Sequence, residues 1–202
     1  MSIFLKILEL INIFKKPKAS ETTDKTEKPV EPIVEKYDEK EVITMIDLNQ
    51  KLSKNFILKE FIKSSTGESL KIDNTPTQEI VDKLRLLCEK VVQPVRDALG
   101  KPIVINSGYR CPKLNKAVKG AKNSQHLEGC ACDMEIMGMN NYELACWIRD
   151  HMKFDQLILE YATNLKQNPN NGWVHVSYKA TGNRQQCLTI NNKGTFNGIR
   201  NM

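Results

Sequence analysis

Histidine, aromatic residues and long apolar runs are all scarce in this chain. Three histidines occur in 202 residues, and aromatics make up 6%. Any imidazole chemistry must therefore draw on His126, His151 or His175. The most apolar stretch, MSIFLKILELINIFKKPK at the N-terminus, is interrupted by Lys6 and Glu9 and is too short to span a bilayer. No small-residue cleavage site follows it, which argues against a cleaved secretory signal. No basic run with interleaved aromatics occurs, so the net charge of +6 does not read as a nucleic-acid-binding surface. The first forty residues balance eight basic against eight acidic groups, so the whole excess lies beyond Lys40 and biases that part toward anionic surfaces. Paired C-x-x-C spacing is also absent. The six cysteines (Cys88, Cys111, Cys130, Cys132, Cys146 and Cys187) thus lack the usual signature of a structural zinc site. A chain of this size does not need disulfides for stability, and the cysteines read as reduced thiols.

What is present suits a globular protein: 40% apolar and 27% charged residues. Residues 1–15 place Ile3, Ile7, Leu10, Ile11 and Phe14 on one helical face. That suits either a segment that touches a membrane, a virion or another partner, or a plain helical extension. Residues 16–45, rich in Lys, Glu, Thr and Pro, cannot bury a core and read as a charged linker. Residues 46–202 form the expected folded domain. Within it, Thr75 is the expected N-cap of a helix with Pro76 at its first position, apolar residues from Ile80 to Leu99 at helical period, and Gly100 at its end. Pro94 is expected to kink or divide that helix. PIVIN (102–106), ACDMEI (131–136), FDQLILEY (154–161) and WVHVSY (173–178) read as strands, and CLTINNKGTF as one more strand and a turn. Asn140 or Asn141 caps a helix reaching about His151. The fold class expected is α+β, a small, mostly antiparallel sheet with flanking helices.

A hydrolytic zinc site needs about three ligands from His, Asp, Glu or Cys, an open position, a nearby carboxylate base and a donor for the oxyanion. His126 lies in a polar loop, and Asp133 follows on a strand after the small residues Gly129 and Ala131. Alternation in WVHVSY sets Trp173, His175 and Ser177 on one face. Two neighbouring strands can thus aim Asp133 and His175 at one point, with His126 folded over them. Spacing alone favours this only modestly over a chance polar arrangement.

The pattern Ser124-x-His126-x-x-Gly129-x-Ala131-x-Asp133, with Trp173-x-His175 downstream and SGYRCPKLN upstream, resembles the M15 family of zinc D-Ala-D-Ala peptidases. It is nearest to the family's phage and prophage branch, and it runs from about Phe56 to Asn192. The resemblance implies a hedgehog/DD-peptidase-like fold and one catalytic zinc on His126, Asp133 and His175. It implies Arg110 as the group that holds a substrate carbonyl or carboxylate, and bacterial peptidoglycan as substrate, with carboxypeptidase and endopeptidase action both open. A monomeric lysis enzyme or virion-borne product, made without a cleavable signal and acting on the cell wall, is the matching expectation. Many members carry an acidic base three residues before the last ligand, where this chain has Gly172. Glu160, at the end of FDQLILE, is the expected replacement, because the related hedgehog-type zinc fold has a glutamate there. The missing acid keeps a rival open: a zinc-containing wall-binding or virion module without turnover. Ser124 is expected either to touch substrate or to cap its loop. His151 reads as a helix-terminal residue, Trp173 as a core residue, and Asp155 as a structural hydrogen-bonding group.

Overall fold

The computed structural model describes residues 46–164, 168 and 171–201. The readings of residues 1–15 and most of 16–45 lie outside them. The described elements run in the order α1 (Leu58–Ile62), α2 (Ser65–Ser69), α3 (Gln78–Leu87), a π-helical turn (Cys88–Val92), α4 (Gln93–Leu99) and β1 (Ile103–Ser107). Then come α5 (Pro112–Ala117), β2 (Ala131–Ile136), α6 (Asn141–His151), β3 (Gln156–Glu160), β4 (Trp173–Ser177), β5 (Gln186–Asn191) and β6 (Gly194–Asn197). The class is α+β as the sequence implies, with one open six-stranded sheet in the order β1-β2-β4-β3-β5-β6. Only the β3–β5 pairing is parallel.

Two local expectations need correction. The N-cap of α3 is Thr77, whose hydroxyl accepts from the Ile80 amide, and not Thr75. Thr75 instead gives its amide to the Asp73 carboxylate in the preceding loop, so the helix starts two residues later than Pro76 suggests. Pro94 divides the long helix as expected: a π-helical turn directly before it separates α3 from α4, and α4 continues to Gly100, which closes it at φ 63°. A π turn relieves the backbone where the proline ring and its missing N–H break the regular ladder. The C-terminal segment holds two strands, because Asn191 and Gly194 pair across a tight turn.

Alternation gives the sheet two unlike faces. Cys132, Met134, Ile136, Leu157, Leu159, Val174 and Val176 are buried on the first, with Leu144, Ala145 and Ile148 of α6 in the same core cluster. Leu84, Leu87, Val91 and Val95 extend that cluster along α3 to α4. Each such buried side chain contributes roughly 1.5–3 kcal/mol relative to exposure. The other face carries Asp133, His175, Ile158 and Glu160. The core therefore makes the sheet a rigid plate and leaves its second face for chemistry.

Candidate metal centre

Strand register sets two of the three expected ligands side by side. Asp133 on β2 pairs with His175 on β4, and cross-strand partners point to the same face. Asp133 Oδ1 lies 2.9 Å from His175 Nδ1. His126, from the loop before β2, closes the triangle: its Nε2 is 3.2 Å from Asp133 Oδ1 and 3.1 Å from His175 Nδ1. All three residues are buried. They form the group of potential metal ligands found among the described residues. His151 takes no part in it. Its ring stacks on Trp147 at 4.6 Å and its Nδ1 bonds the Trp147 carbonyl at the end of α6.

The triangle fits a zinc ion. A tetrahedral zinc with bonds of about 2.0–2.1 Å separates its ligand atoms by roughly 3.3 Å. The sides here are close to that, and the ligands are the N and O donors zinc accepts. The tautomer of His126 fits as well. Its Nδ1 lies 2.6 Å from the Gly108 carbonyl, which only accepts, so Nδ1 carries the proton and Nε2 presents its lone pair. Burial, opposed by Asp133, lowers the pKa of His126 and keeps the ring neutral. The lone pair of His126 Nε2 then faces the Asp133 carboxylate at 3.2 Å, an arrangement a cation stabilises.

The chain segments behind these groups explain their placement. Gly108 packs where a side chain would collide with the Phe61 backbone, and the Tyr109 amide bonds the Phe61 carbonyl at 2.7 Å. Asn74 donates to the Ile62 and Tyr109 carbonyls and accepts from the Cys111 amide at 2.7 Å. These bonds fix Arg110, whose Nη2 is 4.0 Å from Asp133 Oδ2. Its backbone amide also bonds the His126 carbonyl, at 3.1 Å. Arg110 Nε is buried without a partner, so the guanidinium holds donor capacity in reserve. No local pattern singles out Asn74, which acts on loops distant along the chain.

A cavity of about 810 Å³ opens over the centre, with Arg110, His126, Asp133, Glu160, Trp173 and His175 in its wall. Ser124 lines it too. Trp173 is therefore a wall residue, contrary to the core reading. It sits opposite Glu160 in the β3–β4 pairing, and its face meets Tyr161, with ring centroids 5.4 Å apart. Burial, aided by the Asp133 charge, raises the Glu160 pKa. Gly172 has φ 74°, and a Cβ there would run into the Glu160 carbonyl. Asn141, at the start of α6, donates to the Gly172 carbonyl at 3.1 Å and holds that turn. The position where the family resemblance leads one to expect an acid is thus a glycine for a backbone reason. All six cysteines are free thiols, with Cys88, Cys130 and Cys132 buried.

A sheet presenting a buried His-Asp-His set to an open cavity, with a carboxylate and a guanidinium in the same wall, is a candidate mononuclear metal centre. The chain belongs to the Peptidase M15 family, whose model matches residues 54–177. It is also similar to the zinc D-Ala-D-Ala carboxypeptidase of Streptomyces albus G, with 39% identity over 61 residues. That match spans 30% of this chain and 24% of the relative. Family and donor set together indicate zinc as the cofactor.

Proposed function

We propose that this chain hydrolyses a peptide bond in the stem peptide or cross-bridge of bacterial peptidoglycan. The observation that carries the reading is Glu160, a carboxylate of raised pKa in the same cavity wall as the three ligands. Zinc held by His126, Asp133 and His175 would supply Lewis acidity and make water acidic enough to attack near neutral pH. Glu160 would take the proton from the attacking water and return it to the leaving amine. Arg110 would hold the substrate carbonyl oxygen as it gains charge, or a substrate carboxylate, through its donor fork. Ser124, on the cavity rim, would add a hydrogen bond to the substrate backbone. The D-Ala-D-Ala terminus is the first bond to try, because it names the activity of the Streptomyces relative. The bacterial wall is the place of action under this reading, for a lysis enzyme and for a virion-borne one alike.

Glu160→Gln tests it. The variant should bind zinc as the parent does and lose nearly all hydrolysis of purified cell wall. Digestion at the parent's rate would remove Glu160 from the mechanism. A zinc-loaded parent that is inert on cell wall would favour a wall-binding module instead.

A further inference from the structure

The cavity has a second charged wall, built on Asp155. This carboxylate is wholly buried, at 0% side-chain exposure. Its Oδ1 accepts from the Arg184 amide at 3.2 Å and from Arg184 Nε at 2.9 Å. Its Oδ2 accepts from Arg184 Nη2 at 2.7 Å and from Gln125 Nε2 at 2.8 Å. Lys179 Nζ stands 3.4 Å from the same oxygen. Two cations thus share one anion, and a net positive charge remains. Their side chains are not sealed away: Arg184 is 50% exposed and Lys179 37%. Both line the cavity that holds the metal ligands. Gln125 ties this wall to the centre, since it precedes His126 and bonds the shared carboxylate.

The acidic groups that line the cavity do not cancel this wall. Asp133 belongs to the metal ligands and Arg110, and Glu160 is half-buried beside them. Glu128 is exposed to water and forms no ion pair with Arg184 or Lys179. Arg184 is held flat against Asp155 by a fork of donors, so it costs little further side-chain entropy to engage a ligand. A preorganised cationic wall in the same cavity as the Arg110 guanidinium suits a ligand with two anionic groups.

We propose that Arg184 and Lys179 read a second carboxylate of the substrate, remote from the bond that is cut, so that the preferred ligand is an acidic peptide and not its amidated form. The inference rests on the peptidase reading above and adds a substrate class to it. A matched pair of peptides tests it: L-Ala-γ-D-Glu-L-Lys-D-Ala-D-Ala, and the same peptide with the glutamate α-carboxylate converted to a carboxamide. Binding is measured by calorimetry on the zinc-loaded full chain carrying Glu160→Gln. KM and kcat are measured on the parent. The carboxylate peptide should bind about tenfold tighter, as expected for one charge-assisted hydrogen bond in a half-exposed site. The preference should appear in KM and leave kcat within about twofold.

Lys179→Gln, which leaves the Arg184–Asp155 fork intact, should bring the two peptides within about threefold of each other. Arg184→Lys should do the same, provided its melting curve stays cooperative. Equal binding and equal cleavage of the two peptides by the parent would overturn this inference and leave the peptidase reading standing. So would a preference unchanged in Lys179→Gln and Arg184→Lys. If neither peptide is bound or cut, both readings fall together.

Discussion

Asp133 and His175 face each other across β2 and β4, with Oδ1 and Nδ1 2.9 Å apart on the open face of the sheet. The pairing is a matter of register. Shifting either strand by one residue would turn its ligand into the core face. The metal centre is therefore as rigid as the sheet, and only His126 depends on a loop.

Removing a strand ligand should cost more metal affinity than removing a supporting contact. Loss of an outer partner typically lowers affinity roughly 10–100-fold. Asp133→Ala and His175→Ala should each exceed that in equilibrium dialysis against zinc, with the far-ultraviolet spectrum unchanged. Retention of one tightly bound zinc in either variant would place the metal elsewhere.

Gly172 should not tolerate a side chain. The left-handed backbone and the Glu160 carbonyl oppose any Cβ there. Gly172→Ala should destabilise the fold by about 2 kcal/mol or more. Gly172→Asp, which supplies an acid three residues before His175, should be as unstable and should not raise activity. A Gly172→Asp chain that melts like the parent would refute this backbone account.

Asp155 should set part of the acid sensitivity of the fold. Burial pushes its pKa up, but hydrogen bonds from Arg184 and Gln125 prevail and hold it down at about 2. The folded value lies below the unfolded one, so the ionised group stabilises the fold above about pH 4, and that stability is lost as the pH falls toward 2. The span corresponds to about 2 kcal/mol. Asp155→Asn should lower stability at pH 7 by at least that amount. It should also flatten the fall between pH 4 and pH 2 in urea titrations. Equal slopes in parent and variant would show that the Asp155 network does not drive acid unfolding.

Much of this was legible in the sequence, and the omissions have a common physical reason. The strands around Asp133 and His175 followed from alternation, and the helix through His151 from its asparagine cap, because both signals are local. The ligand set owed more to the resemblance than to spacing, since His175 lies 42 residues beyond Asp133. What escaped was non-local. Arg184 reaches Asp155 from a loop 29 residues downstream. Asn74 holds Arg110's segment from the far side of two helices and a strand. Trp173 could line the cleft or fill the core, the core being the commoner place for a tryptophan, and its face of the sheet is the cavity face. The strand order, with β4 inserted between β2 and β3, is likewise a tertiary outcome that no local pattern encodes.

The most direct test of the central claim is mass spectrometry of the fragments from purified muropeptides treated with the zinc-loaded chain, the chelated chain, and the chelated chain with zinc restored. The proposed peptidase function predicts defined peptide-bond cleavage by the first, none by the second, and recovery in the third. Intact muropeptides from a fully zinc-loaded chain would contradict it.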